Sequence, residues 1–225
     1  MATPGFRIKT TISRPSLSLV QAFSGVPVAN ISDNMKRTAC MDSRLRPMNA
    51  TPLLGPALTV RLRPGDSLLL HKAVDMALPG DVIVIDGGGY RGCAVTGELI
   101  VLWCRRRGLA GLVIDGCIRD CDTISKMDFP VYATGVNPNG PIKEGGGEIN
   151  FPVSCGGIAV QPGDIIVGDA DGLVAVSPSD AREIAEKARA QHAAEARIMA
   201  EIEALTWDRS WVDPLLKAKG CEFLE

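Results

Sequence analysis

The chain has 225 residues, 46% of them hydrophobic and 22% charged, which is ordinary globular composition with material for a sizeable core. Its 24 Lys plus Arg against 26 Asp plus Glu leave a formal net charge of -2, no field for holding nucleic acid or an anionic membrane, and no run reaches the ~18 apolar residues of a membrane span. Seven Cys with no CxxC pair, behind an N-terminus without a signal-peptide pattern, point to reduced thiols in the cytoplasm and to a small-molecule substrate or a protein partner.

The first thirty residues mix Pro, Ser and short apolar runs and lead to a predicted helix over 24–37, with Asn30 and Asp33 near its start. Short β-branched runs edged by Gly, Pro or Asp then predict strands over 55–62, 81–86, 109–116, 129–135, 157–161, 164–169 and 173–177. Pro-Gly-Asp recurs at 64–66, 79–81 and 162–164, the chemistry of a tight turn. Helical patterns over 67–78 and 97–107 alternate with the middle strands. The second ends on Arg105, Arg106 and Arg107, cations that suit a helix C-terminus, with Gly108 as its cap. The longest helix is predicted over 179–205. Its apolar stripe of Ile184, Ala185, Ala188, Met199, Ile202 and Leu205 reads as core or subunit contact. Trp207, Trp211, Leu215 and Leu216 follow in a tail expected to pack on the body or on a neighbouring subunit. The whole chain is expected to form one domain.

Chemistry concentrates in residues 81–120, read as strand, Gly-rich turn, helix, strand and polar turn, since the carboxyl ends of such strands face helix N-termini that bind anions. Gly87, Gly89 and Gly92 satisfy G-x-G-x-x-G, and Asp115 stands where a dinucleotide fold places its ribose-binding acid, so a nicotinamide-dependent oxidoreductase is one rival. Against it, Asp86 would face a diphosphate, and Asp115 is followed by a second polar cluster ending in Arg119 and Asp120. Walker A, H-E-x-x-H and G-x-S-x-G sequences are absent. An Arg-Asp dipeptide is in general a surface ion pair. Here it shares a strand end with Asp115 and the rim with the helix starting at Gly97. A planar Arg fork suits a carboxylate or enolate, and a lone carboxylate with open water positions suits Mg²⁺. His71 and His192 lack a second His at ligand spacing and read as structural, which leaves no zinc pattern.

The segments at 31–37 (ISDNMKR), 55–60 (GPALTV), 70–89 (LHKAVDMALPGDVIVIDGGG), 97–100 (GELI), 108–120 (GLAGLVIDGCIRD), 152–176 and 207–221 resemble the RraA-like family, which includes the class II 4-hydroxy-4-methyl-2-oxoglutarate and 4-carboxy-4-hydroxy-2-oxoadipate aldolases. The resemblance implies an α/β fold, a layered β/β/α sandwich of the swivelling-domain type. It also implies a homotrimer or homohexamer, with an acid from a neighbour's long helix, Glu195 in this chain, completing the site. By the same resemblance, Gly97, Glu98, Leu99 and Ile100 form the turn that holds the substrate carboxylate, Arg119 contacts the keto acid, and Asp120 binds Mg²⁺, Mn²⁺ or another divalent metal. Glu98, which precedes Arg119 with twenty residues between, orients water. Glu98 stands where the characterised aldolases typically have Asp, and Thr123 where an acid is common, with Asp122 beside it. The implied activity is cleavage of a 4-hydroxy-2-keto diacid to pyruvate and a second keto acid, with oxaloacetate decarboxylation through the same enolate. The rival of another class is a binding protein, since the family's founding member is a ribonuclease regulator. That regulator lacks the Asp that is present here as Asp120.

Overall fold

The computed structural model describes residues 3–224. In chain order the elements are β1 (Phe6–Ile8), α1 (Leu17–Gln21), α2 (Val28–Asn34), β2 (Arg46–Pro47), β3 (Leu53–Leu62), α3 (Leu68–Met76), β4 (Val82–Thr96), α4 (Glu98–Arg106) and β5 (Gly111–Ile118). They continue with α5 (Cys121–Ile124), β6 (Val131–Val136), β7 (Gly147–Ile149), β8 (Val153–Cys155), β9 (Ile158–Val160), β10 (Ile165–Asp169), β11 (Gly172–Val176), α6 (Ala181–Glu203) and α7 (Val212–Ala218).

The centre is a parallel sheet of β3, β4, β5 and β6, extended by β7 and β1 beyond β3 and by β2 beyond β6. Its strands read as unbroken apolar runs because both faces are covered. Successive residues go to opposite cores: Ile83, Ile85, Leu112 and Ile114 meet the helices α3 and α4, while Val82, Val84 and Val113 meet a second β layer. That layer is the β10–β11 hairpin, joined edge-on to the first half of β3. Its own alternation repeats the logic, with Ile166, Leu173 and Ala175 facing inward and Ile165, Val167, Val174 and Val176 packing under α1, α2 and α6. The β/β/α layering expected from the sequence is therefore present, with an additional helical layer over the second sheet.

Three expectations are corrected. The helix predicted over 24–37 is only Val28–Asn34: Pro27 takes its N-cap, and Lys36 and Arg37 turn left-handed at φ 57° and 61°. The Gly-rich run is not a turn opening a helix. It lies inside β4, whose pairing with β5 resumes after each of three irregularities, at Tyr90↔Gly116, Ala94↔Cys117 and Thr96↔Ile118. Gly87 is required by packing, since a Cβ there would sit 2.7 Å from the Asp115 carbonyl oxygen. Without a helix N-terminus after the glycines, the dinucleotide reading loses its phosphate site. Asp115 Oδ2 instead accepts the Gly156 N–H at 3.0 Å, so its work is to anchor the turn between β8 and β9.

The tail does not bury itself on the body. α7 has no buried residue, Trp207 and Trp211 remain 38% and 53% exposed, and Ile198, Met199 and Ile202 of α6 are also exposed in part. Among the described residues no helix is long and apolar enough to cross a membrane.

Candidate active site

The end of β4 and the end of β5 lie side by side, and the Arg119 N–H donates to the Thr96 carbonyl oxygen at 3.0 Å. The next residue, Asp120, has φ 60° and ψ 36°, a left-handed conformation that Asp tolerates better than most residues. This single kink ends β5, starts α5 and turns the Asp120 carboxylate back toward the start of α4. There Oδ2 accepts the Glu98 N–H at 3.0 Å, and Arg119 Nε lies 3.8 Å away. The approach is possible because Gly97 has no side chain. An added Cβ would fall on Asp120 Oδ2 and stand 2.9 Å from Arg119 Cγ. The backbone of Gly97 is extended, so its glycine answers to space and not to torsion.

Gly97, Leu99, Ile100, Arg119 and Asp120 line one small, solvent-open cleft with a volume of about 170 Å³. Glu98, between Gly97 and Leu99, is not part of the lining; it contributes the N–H that Asp120 binds and places an acid in the first turn of α4, where the helix dipole favours it. Asp122 is exposed in the first turn of α5 and is not part of the lining.

Another wall comes from residues the sequence reading assigned no place in the site. Ser67, Leu70 and His71 enter from α3, Pro141 and Lys143 from the segment before β7, and Thr96 from the floor. His71, read from sequence as structural, is thus on the cleft. Asp66 joins these pieces. Its Oδ1 caps α3 through the Leu68 N–H at 2.7 Å, and its Oδ2 accepts the N–H groups of Glu144 and Gly145 at 2.7 and 2.8 Å. Burial pushes the Asp66 carboxyl up, but the three backbone donors outweigh it and hold its pKa below the ordinary carboxylate value. The bulged stretch of β4 supports the same wall from outside: the Asn137 side-chain amide donates to the Arg91 carbonyl oxygen, and the Ala94 N–H to that of Asn139, each at 2.8 Å. Two buried hydroxyls, Ser67 Oγ and Thr96 Oγ1, have no hydrogen-bond partner among the described residues, and both residues line the cleft.

A metal fits only in one manner. The Asp120 side chain is 41% exposed, and no cluster of three or more His, Cys, Asp or Glu occurs among the described residues. One accessible carboxylate with room for water suits a hard ion such as Mg²⁺ or Mn²⁺ and not a closed zinc site. Glu195 lies away from this cleft in its own chain. It accepts from Asn30 Nδ2 at 2.7 Å and Gln191 Nε2 at 3.1 Å, bonds that hold its carboxyl below the ordinary value. Burial pushes the thiols of Cys93, Cys104 and Cys155 up, that of Cys104 to about 12.

A family model described as RraA-like, Aldolase/RraA, matches residues 28–175. A Halalkalibacterium halodurans protein named "Putative 4-hydroxy-4-methyl-2-oxoglutarate aldolase" is 36% identical over 183 residues, covering 81% of this chain and 87% of that one. Among solved structures, Streptomyces coelicolor RraAS2, described as an unusual member of the RNase ES inhibitor RraA protein family, superposes with TM-score 0.75 at 28% identity. The match covers 83% of this chain and 98% of that one. An uncharacterized protein from Pseudomonas syringae pv. tomato superposes with TM-score 0.74 at 26% identity, over 86% and 96% of the two chains.

Proposed function

Because this chain belongs to the RraA-like family, we propose that it is a divalent-metal-dependent aldolase that cleaves a 4-hydroxy-2-keto diacid, of the 4-hydroxy-4-methyl-2-oxoglutarate type, to pyruvate and a second keto acid. The observation that carries this reading is the junction of Gly97, Arg119 and Asp120, where one accessible carboxylate and one guanidinium meet at a helix start in a solvent-open cleft. Bound through Asp120, a hard divalent ion would supply Lewis-acid polarisation of the substrate's keto group.

The chain's own groups do the rest. The first-turn N–H groups of Leu99 and Ile100 lack intrahelical acceptors and face an anion, here the substrate's C1 carboxylate. The C4 hydroxyl gives its proton to a water held at the Glu98 edge of the cleft. The C3–C4 bond breaks, its electron pair passes into a pyruvate enolate, and C4 becomes the carbonyl of the second product. Arg119 offsets the charge that develops, a preorganised contribution of about 3–4 kcal/mol in comparable sites. Protonation of the enolate at C3 gives pyruvate. Oxaloacetate would lose CO₂ through the same enolate.

We also propose that the chain works in the cytoplasm as a homotrimer or homohexamer. The exposed apolar side chains of α6 and of the tail, Met199, Ile202, Trp207 and Trp211 among them, support this, and Glu195 of a neighbouring copy is the residue suggested to complete the site. The second reading, a ribonuclease regulator, is favoured by the likeness to Streptomyces coelicolor RraAS2, itself described as belonging to a family of RNase ES inhibitors.

Pyruvate release, coupled to a dehydrogenase, from oxaloacetate and from 4-hydroxy-4-methyl-2-oxoglutarate separates the two. The aldolase reading expects turnover with Mg²⁺ that chelation abolishes. It also expects a loss of about 100-fold or more in Arg119→Ala, with metal binding retained and only part of the rate restored in Arg119→Lys, whose point charge cannot replace the planar fork. Silence on both keto acids with Mg²⁺ supplied, together with inhibition of a ribonuclease, would establish the regulator instead.

A further inference from the structure

We propose that Asn139–Gly140 is a site of spontaneous modification, promoted by Arg119. There the Asn139 side chain cyclises onto the Gly140 nitrogen, loses ammonia and opens to aspartate or isoaspartate, which leaves a new carboxylate beside the guanidinium. Ring closure needs a nucleophile, the deprotonated amide nitrogen of the following residue, and room for it to reach the Asn Cγ. The chain has six Asn, and the structure singles out this one. Asn137 is followed by Pro138, which has no N–H to lose. Asn30, Asn34, Asn49 and Asn150 precede residues with side chains that crowd the approach, and the Nδ2 of each is held in a hydrogen bond of 2.7 to 2.9 Å. Asn139 is exposed and its successor adds no side chain. Its Nδ2 has only a long contact, 3.4 Å, with the Gly92 carbonyl oxygen.

The surroundings favour the nucleophile as well. The Gly140 N–H donates to no acceptor among the described residues, so no bond holds its proton. The carbonyl oxygen of the same peptide, that of Asn139, accepts the Ala94 N–H at 2.8 Å. On deprotonation the negative charge spreads onto that oxygen, where the bond to Ala94 stabilises it. A cation adds to this effect: a Cβ on Gly140 would lie 3.2 Å from Arg119 Nη1, so the guanidinium stands against the residue on which the charge develops.

The step balances with water alone. The Gly140 nitrogen gives its proton to hydroxide and attacks Asn139 Cγ. The N–Cγ bond forms, the Cγ–Nδ2 bond breaks, and the departing nitrogen takes up a proton and leaves as ammonia. Water then adds to one carbonyl of the succinimide ring. Breaking the new N–Cγ bond gives aspartate, whereas breaking the original main-chain bond gives isoaspartate, in which the chain continues through Cγ. Either product replaces a neutral amide by a carboxylate. Asp120 is the one carboxylate among the described residues lining the cleft, and a second one on the rim competes for Arg119. Isoaspartate also inserts a methylene between the N–H that donates to Asn137 Oδ1 and the carbonyl that accepts from Ala94, which breaks the register of those two bonds.

The test incubates the folded full chain at mildly alkaline pH and follows each Asn-containing peptide by mass spectrometry, which reads the replacement of NH by O. Enzymatic methylation of isoaspartate separates the two products. Asn139 should convert ahead of the other five, at a rate proportional to hydroxide. Folded Arg119→Ala and Gly140→Ala should convert several-fold more slowly, Arg119→Lys should fall between Arg119→Ala and wild type, and Asn139→Gln should show no conversion at this position. In urea, wild type and Arg119→Ala should convert at the same rate, which ties the folded difference to the cation. Conversion of Asn139 in urea but not in the folded chain overturns the site, as do equal folded rates in wild type and Arg119→Ala. On the aldolase reading, aged wild type and Asn139→Asp should share a raised KM for the keto acid, and an unchanged KM in both overturns the competition for Arg119. The masses do not depend on that reading, so a chain that converts at Asn139 and releases no pyruvate keeps the site and loses the aldolase.

Discussion

Replacing Gly97 by Ala tests the geometry of the site through a single methyl group. The backbone there has φ -153° and ψ -164°, which any residue adopts, so Ala carries no torsional penalty. The new Cβ would overlap Asp120 Oδ2 and stand 2.9 Å from Arg119 Cγ and 3.2 Å from Arg119 Nε. Two responses are open. If the neighbours hold their places, overpacking costs about 1–3 kcal/mol, and the melting temperature falls by about 2–4 °C per kcal/mol for a chain of this size. If Asp120 swings away, the bond from the Glu98 N–H is lost, worth about 1.5–3 kcal/mol for a charged acceptor, and the catalytic pair moves. A displacement of about 1 Å in reacting groups costs on the order of 100-fold in rate. The Asp120 side chain is 41% exposed, so water replaces most of the lost bond and the second response is the cheaper one. Gly97→Ala should therefore melt close to wild type while kcat/KM for pyruvate release drops by about 100-fold and the Mg²⁺ requirement rises. Gly140→Ala serves as the comparison, because its Cβ would meet only the mobile end of Arg119, at 3.2 Å from Nη1. Wild-type kcat/KM in Gly97→Ala would refute the placement of Asp120 against this turn.

Asp120→Asn is a cleaner probe than Asp120→Ala, because Asn also tolerates the left-handed backbone and keeps an oxygen for the Glu98 N–H. It should melt within about 4 °C of wild type yet lose metal affinity and turnover, read by metal titration and the coupled assay. Asp66 makes acid stability measurable: since its folded pKa is depressed, its contribution is complete above the ordinary carboxyl value near ~3.9 and is lost as pH falls through the lower folded value. Denaturant melts from pH 6 to pH 2 should show wild type exceeding Asp66→Asn by about 1.5–3 kcal/mol at the top of that range, with the gap closing below about pH 4. A constant gap would show that the carboxylate form does not hold the 142–145 segment.

What could be read from the sequence is what local patterning encodes. Burial on both faces makes Val82–Ile85 and Leu112–Ile114 unmistakable as strands. Arg119 and Asp120 stand out because charge directly after a buried strand has nowhere to go but a rim. The extent of β4 was not legible, since Gly-Gly-Gly-Tyr-Arg-Gly carries turn chemistry and only the pairing with Gly116 and Cys117 of β5 keeps it in the sheet. Ser67, His71 and Lys143 were missed for a different reason. Their meeting depends on backbone bonds between positions 65–67 and 142–145, and no local signal ties those segments together. The one hint was the Pro-Gly-Asp-Ser turn, whose Asp and Ser both sit where only one is needed for a cap.

The two walls of the cleft rest on separate stretches of chain. Gly97, Arg119 and Asp120 are fixed by the Thr96 clamp at the ends of β4 and β5, whereas the 137–143 segment leans on the bulged part of β4 through Arg91 and Asn139. Substitutions in the bulge act first on the mouth of the cleft, and reach Arg119 through the Asn137 N–H bond to the Ile118 carbonyl oxygen and the approach of Gly140 to the guanidinium. On the proposed aldolase reading, one scaffold can in this way accommodate acids of different length while the proposed reacting pair stays constant, and relatives are expected to diverge first around Tyr90–Arg91 and last at Gly97.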